Sequence, residues 1–288
     1  MRVKDIQQVF HRELDGLYEA KEVDRFYFML LEHYFDIRRI DLISEPDRVI
    51  SKEDETVVFK ALSELKLEKP IQYIVGEAYF YGLSFKVNSN TLIPRPETEE
   101  LVDWIVKDKR AENRPVKILD IGTGSGCIAI ALAKNIPCSK VAAMDVSAEA
   151  LKMAKDNARQ HNVDIDFIEA DVLELEDLSG CYDVIVSNPP YVRDLEKKEM
   201  HDNVLRYEPH SALFVSDAEP LLFYKKIAVL AREHLCVNGA LYFEINQYLP
   251  DETIKMLENT GFEHNRLKKD FRGNYRMVKS SVHGCVSF

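Results

Sequence analysis

Asn188-Pro189-Pro190-Tyr191 follows directly on the apolar, β-branched run YDVIVS. Those four residues suit one difficult task. An amide or exocyclic amino nitrogen is a poor nucleophile because its lone pair is delocalised, so its N–H groups need acceptors if the nitrogen is to be aimed at an electrophile. The Asn188 side-chain oxygen and the Pro189 carbonyl can each accept one N–H. The prolines keep the turn extended and remove backbone donors that would compete. Tyr191 adds an aromatic wall for a flat amide and a π-face for a nearby cation. A plain proline turn closing a strand is the alternative, and the upstream sequence weighs against it.

That upstream sequence is VKILDIGTGSGCIAIALA, which places Gly122, Thr123, Gly124, Ser125 and Gly126 between a buried strand and an amphipathic helix. Glycines let the backbone approach a ligand closely, and the helix start adds oriented N–H donors. The spacing is GxGxG with Asp120 before the first glycine, the arrangement of S-adenosylmethionine (SAM) enzymes more than of NAD enzymes. Asp145 ends the next strand, 25 positions after Asp120, where a carboxylate can accept both ribose hydroxyls. Its competing role is to cap the following helix, for which Ser147 is better suited. Asp171 ends the strand IDFIEAD, where its side chain and the next backbone N–H, that of Val172, can read an adenine edge. Asp171 can also cap a helix expected over VLELEDL.

The elements that must hold these residues alternate. VKILDIG, KVAAMDV, IDFIEAD, YDVIVS and ALYFEIN read as strands, and the stretches after Gly126, from Ser147 to about His161, and from Leu221 to His234 read as helices. Strands alternating with helices of that length predict a largely parallel sheet covered on both faces. The region from about 240 to 280 is expected to close it with an antiparallel hairpin. Before residue 75 the composition differs, with one glycine, Gly16, and two prolines, Pro46 and Pro70. There Val3, Ile6, Val9, Phe10, Leu14 and Leu17, then Val23, Phe26, Tyr27, Leu30, Leu31 and Tyr34, recur at three and four, the period of amphipathic helices. A third helix is expected after Ser51 with Val57, Val58, Ala61, Leu62 and Leu65 inward. Residues 1–75 therefore read as a small helical bundle, 76–96 as a hairpin and Pro-rich connector, and 97–288 as an α/β domain.

Composition narrows the functional classes. The 288 residues carry 38 Lys and Arg against 49 Asp and Glu, a formal charge of −11, which disfavours a bulk electrostatic grip on nucleic acid. The helical region is itself acidic, with 12 basic and 16 acidic residues. No apolar run approaches the ~18 residues of a membrane span, and the first residues lack the apolar core of a signal peptide. Cys127, Cys138, Cys181, Cys236 and Cys285 are never spaced as CxxC, so free thiols in a reducing cytoplasm are expected. The histidines show no HxxxH or HExxH spacing, and no metal site is expected.

GTGSG at 122–126, Asp145 and NPPY at 188–191 resemble class I SAM-dependent methyltransferases that modify planar nitrogen. KPIQYIVG at 69–76, LIPRPETEELV at 92–102, EPHSAL at 208–213 and DFRGNYR at 270–276 resemble, within that group, the release-factor glutamine methyltransferase family (PrmC/HemK). The resemblance runs from about residue 69 to the C-terminus. It implies a Rossmann-like catalytic domain joined to a helical recognition domain, SAM as methyl donor, and the glutamine of the Gly-Gly-Gln loop of class I peptide release factors as acceptor. It also implies that Asn188, Pro189 and Tyr191 serve catalysis. Asn188 and Pro189 to Tyr191, together with Arg95, Pro96 and Thr98, would meet the substrate. Val172 stands where the family often has a bulky aromatic, and Asn246 where it commonly has glycine. Three other readings remain: an amino-methyltransferase acting on a DNA or RNA base, one acting on a ribosomal-protein glutamine, and a SAM-binding scaffold without turnover.

Overall fold

The structure is a computed structural model that describes residues 1–282. In chain order these form α1 (Val3–Leu14), α2 (Ala20–Phe35), α3 (Asp41–Ser44), α4 (Lys52–Lys66), α5 (Ile71–Val75), β1 (Glu77–Phe80), β2 (Leu83–Lys86) and α6 (Pro96–Lys109). There follow β3 (Lys117–Ile121), α7 (Cys127–Asn135), β4 (Lys140–Asp145), α8 (Ala148–Gln160), β5 (Ile165–Glu169), β6 (Tyr182–Ser187), β7 (Val192–Arg193) and α9 (Asp202–Tyr207). The chain ends in β8 (Phe214–Val215), α10 (Leu222–His234), β9 (Leu235–Glu244), α11 (Pro250–Thr260), β10 (His264–Lys269) and β11 (Tyr275–Ser281). Contacts divide it into two units, one of Met1–Gly76 with His201–Tyr207, the other of Glu77–Met200 with the chain from Glu208 onward.

In the helical unit the three-and-four spacing becomes one core, in which Val3, Ile6, Phe10, Leu14, Val23, Tyr27, Leu30, Leu31, Val58 and Leu65 are buried. Burial of such side chains contributes ~1.5–3 kcal/mol each before the entropy of ordering them is subtracted. Ser51 starts α4 with a capping box: its hydroxyl accepts from the Asp54 N–H at 3.1 Å, and the Asp54 carboxylate accepts from the Ser51 N–H at 3.3 Å. Two expected core positions lie outside. Leu17 is exposed because α1 stops at Leu14, before Asp15-Gly16, and Val57 is 39% exposed at the edge of the α4 stripe. The unit also takes in α9, where the Tyr207 hydroxyl donates to the Leu67 carbonyl at 2.7 Å and Arg206 pairs with Glu68 at 3.4 Å.

In the second unit seven strands lie in the order β10-β11-β9-β6-β3-β4-β5. The pairs β6–β9, β3–β6, β3–β4 and β4–β5 are parallel, while β9–β11 and β10–β11 are antiparallel. This is a mixed α/β sheet with the expected C-terminal hairpin. Side chains alternate across it. Ile118, Val141, Ala143, Val184, Val186 and Tyr242 pack on α6, α7 and α8, whereas Leu119, Met144, Ile185, Leu241, Phe243 and Val278 pack on α10 and α11. In register, Asp120 lies beside Ala143 on one side and Val186 on the other. The residues that follow β3, β4 and β6 therefore emerge along one edge, at the point where strand order reverses, which is where open α/β sheets bind ligands.

Two further expectations are corrected. VLELEDL is no helix but a turn over residues 172–174, because the Asp171 carboxylate accepts from the Leu173 N–H at 2.9 Å and the chain must then run to buried Leu178. Cys181 and Cys236 are not free thiols but form a disulfide, their Cα atoms 5.3 Å apart. Parallel pairing of β6 with β9 sets Tyr182 beside Leu235 and brings the two cysteines together across 55 residues, a proximity that spacing along the chain does not reveal. Cys127 and Cys138 are free, and Cys285 lies outside the described residues. Among the described residues no helix is long and apolar enough to cross a membrane.

Candidate active site

The strand ends surround a cavity of ≈550 Å³, within the usual range for small-molecule sites. Gly122 and Gly124 after β3, Asp145 at the end of β4, Asp171 and Val172 after β5, and Asn188, Pro189 and Pro190 after β6 all line it. Thr123, Ser125 and Gly126 stand behind that surface. Arg95, Pro96, Thr98 and Tyr191 are likewise not in the cavity lining.

The glycine loop is built for a ligand on one side and for packing on the other. Gly122 has φ +76°, and a Cβ there would meet nothing within 4 Å, so the backbone itself faces open cavity. Gly126 has φ +83°, and a Cβ would come within 3.1 Å of both the Ala154 Cβ and the Ile130 Cδ1, so the loop can close on α8 only without a side chain. Below it the Thr123 hydroxyl donates to Asp120 Oδ2 at 2.6 Å. Burial pushes the Asp120 carboxyl up to about 7, with the Asp145 charge adding to the rise and the Thr123 bond opposing it.

Asp145 is oriented from within the protein. Its Oδ2 accepts from the Gly124 N–H at 2.8 Å and its Oδ1 from the Ser147 N–H at 2.9 Å. Ser147 caps α8, its hydroxyl accepting from the Ala150 N–H at 3.2 Å. Each carboxylate oxygen of Asp145 keeps lone pairs for a further donor such as a ribose hydroxyl. Burial raises the Asp145 carboxyl, and these backbone N–H groups pull it back. The far walls come from residues that the sequence reading did not select, among them Ser89 to Leu92, Val146, Phe214, Phe223 and Ile227. Phe223 supplies an aromatic ring in a site where Val172 offers none. The EPHSAL resemblance hinted at one of these walls, through Pro209, Ser211 and Ala212, and LIPRPETEELV at another, through Leu92.

Asn188 leaves β6 with its Nδ2 donating to the Thr98 hydroxyl at 3.3 Å. The Thr98 hydroxyl donates in turn to Glu244 Oε2 at 2.6 Å, and the Tyr191 hydroxyl donates to Glu244 Oε1 at 2.9 Å. Burial raises the Glu244 carboxyl, opposed by those two hydroxyl bonds and by the Arg276 charge. Asn246 stands two residues further on and is also buried. Its Nδ2 donates to the Tyr191 carbonyl at 2.9 Å and to both Glu196 oxygens, at 3.0 and 3.2 Å. The position at which the family resemblance implies a glycine thus anchors the NPPY turn. Arg95 and Glu208 are paired at 2.6 Å, and Glu208 also accepts from the Ile93 N–H at 3.2 Å, which fixes the strap leading into α6. None of these partners lies near the other in sequence.

A seven-stranded α/β sheet with a glycine loop after its first parallel strand and a proline-bounded asparagine after its fourth defines a SAM-dependent methyltransferase. The family model for the methyltransferase small domain matches residues 99–210, and that for the PrmC N-terminal domain matches residues 19–76. Release factor glutamine methyltransferase of Flavobacterium psychrophilum is 53% identical over 281 residues, covering 97% of this chain and 99% of that protein. The Bacteroides thetaiotaomicron protein of the same name is 42% identical, covering 96% and 99%. Among solved structures, the hMettl16 catalytic domain in complex with the MAT2A 3'UTR hairpin 6 shares the fold, with a TM-score of 0.57, 19% identity and 72% and 78% coverage. The chain belongs to the release factor glutamine methyltransferase family.

Proposed function

We infer that this enzyme transfers the methyl group of SAM to the side-chain amide nitrogen of the glutamine in the Gly-Gly-Gln loop of class I peptide release factors. The observation that carries the reading is the presence of Asn188 and Pro189 on the wall of the same cavity as Gly122, Asp145 and Asp171. SAM supplies an electrophilic methyl group. Gly122 and Gly124 would hold its amino-acid part, Asp145 its ribose, and Asp171 with Val172 its adenine. Phe223 and Ile227 provide apolar wall opposite.

Asn188 Oδ1 and the Pro189 carbonyl accept the two N–H groups of the substrate amide and aim its nitrogen along the line of transfer. Pro190 and Tyr191 keep that turn in shape, and Thr98 braces it from the first turn of α6, at whose start Arg95 is held by Glu208. The rate gain comes from orientation and charge placement, effects that together supply several kcal/mol in enzymes of this kind. No strong base is needed before attack. The nitrogen becomes cationic and acidic once methylated, and its proton then leaves to solvent. A single glutamine offers few contacts, so selection of one protein requires a remote interface. We assign that interface to the helical residues 1–75, with 76–96 as connector and 97–288 as the catalytic part. We propose that the reaction takes place in the cytoplasm.

The test incubates the enzyme and labelled SAM with a release factor, a ribosomal protein and nucleic acid in parallel, and locates the label by mass. Label on the release-factor glutamine is the expected result. Label confined to a base or to the ribosomal protein would overturn the substrate, and SAM binding with no transfer would indicate a scaffold.

A further inference from the structure

Asn188 can help a substrate amide only if its oxygen, not its nitrogen, faces that amide. The two ends of a carboxamide have the same shape, so something must choose between them. The choice lies outside the cavity. Thr98, in the first turn of α6, is buried and has one hydroxyl hydrogen. Glu244, the last residue of β9, is 1% exposed, and it draws that hydrogen to Oε2 at 2.6 Å while Tyr191 gives its own to Oε1 at 2.9 Å. An ionised carboxylate only accepts, so neither hydroxyl can turn its hydrogen elsewhere. The Thr98 oxygen is left with lone pairs alone, and the Asn188 side chain 3.3 Å away can meet it only through Nδ2. Oδ1 is thereby left for the cavity that Asn188 lines.

We propose that Glu244 is a positioning residue for methyl transfer, which acts through the Thr98 hydroxyl to fix the Asn188 amide with Oδ1 toward the substrate. The proposal rests on the reading of Asn188 as an acceptor of substrate N–H. Burial raises the Glu244 carboxyl, and the two hydroxyl bonds together with the charge of Arg276, whose guanidinium lies 5.9 Å from the centre of the Tyr191 ring, oppose that rise. In Glu244→Gln the new amide donates to one of the two hydroxyls. When it donates to Thr98, the Thr98 hydrogen is released toward Asn188, draws Oδ1 inward and leaves an NH₂ facing the substrate N–H. Thr98→Val removes the same link without disturbing Tyr191.

Single-turnover methylation of intact release factor by the full chain, with SAM saturating, tests the relay. Glu244→Gln and Thr98→Val are each expected to lower the transfer rate roughly tenfold to a hundredfold, the consequence of misplacing one hydrogen bond. SAM affinity should change by no more than about twofold. The two changes break one chain in series, so the double variant should be no slower than the slower single one, and Thr98→Ser should recover most of what Thr98→Val loses. Near-parental rates in both a folded Glu244→Gln and a folded Thr98→Val, or effects that multiply in the double variant, would overturn the proposal. An NMR reading of the Asn188 side-chain NH₂, assigned by its loss in Asn188→Ala, needs no turnover. Those resonances should move in Glu244→Gln and Thr98→Val, and unchanged resonances would overturn the relay. If the parent chain fails to methylate release factor, the substrate assignment fails and the NMR arm still decides the relay. If Glu244→Gln does not fold, Thr98→Val carries both arms.

Discussion

Asn157 holds Lys86 by both of its backbone polar groups: Oδ1 accepts from the Lys86 N–H at 2.8 Å, and Nδ2 donates to the Lys86 carbonyl at 3.0 Å. The same Nδ2 donates to the Ser125 carbonyl at 2.9 Å. One buried side chain on α8 therefore ties the exit of the β1–β2 hairpin, which leads to the Ser89–Leu92 wall, to the glycine loop. Asn157→Ala removes three hydrogen bonds to backbone groups, and at ~0.5–1.5 kcal/mol for each it should lower both the melting temperature and SAM affinity. Calorimetric titration of the folded variant checks this, and unchanged affinity would leave Asn157 a role in stability alone.

Asn188→Ala removes one of two acceptors for the substrate amide. Turnover should fall roughly tenfold to a hundredfold with SAM binding retained. Single-turnover kinetics at saturating SAM decide it, and a near-normal rate would remove Asn188 from the mechanism.

Asp145→Ala should show the opposite pattern. A hydrogen bond to a charged group contributes about 1.5–3 kcal/mol, so SAM affinity should drop by roughly one to two orders of magnitude. The Gly124 and Ser147 N–H groups also lose their acceptor, so the melt should fall as well. A folded variant with unchanged affinity would reduce Asp145 to a brace for the glycine loop.

Much of this site was legible in the sequence because its pieces are local. A strand, a glycine loop and a helix start are consecutive, and NPPY is four residues at a strand end. The parts that were not legible depend on strand order. Thr98 and Glu244 are 146 residues apart and Asn157 and Lys86 are 71 apart, and no periodicity marks such pairs. Cys181 and Cys236 likewise meet only because β6 lies beside β9. The misread helix over VLELEDL shows the complementary limit. Its leucines suit a helix, but an Asx turn at Asp171 and the burial of Leu178 set the backbone instead.

The Asp120 carboxyl gives a pH signature. Its folded value of about 7 lies above the usual 3.8, so between roughly pH 4 and pH 7 the folded chain holds a proton that the unfolded chain has lost. Stability from this group is therefore greatest at low pH and falls as pH rises through that window, by on the order of 4 kcal/mol in all. In Asp120→Asn that slope disappears. Melts of the SAM-free proteins at several pH values should show the variant gaining on the parent up to about pH 7 and levelling off above it, and a pH-independent difference would contradict the raised value.

A chain starting at Gly76 tests the helical residues as the recognition surface. It should bind SAM but methylate intact release factor far less efficiently, while its rate on a short glutamine peptide changes little. A cooperative melt must come first, since Arg206 and Tyr207 lose their partners Glu68 and Leu67. Undiminished preference for the intact protein would place recognition elsewhere.

The cavity draws its walls from residues as far apart in sequence as Ser89 and Ile227, so the chain cannot unfold and keep its methyl donor. Mass action then makes the donor a folding ligand: at a hundredfold excess over its dissociation constant it deepens the native well by ~2.7 kcal/mol. Where proteolysis acts on the unfolded chain, the lifetime of the enzyme in a cell is then expected to follow donor supply. When the donor runs short, more of the population is open to proteases, and the capacity to methylate declines in amount as well as in rate.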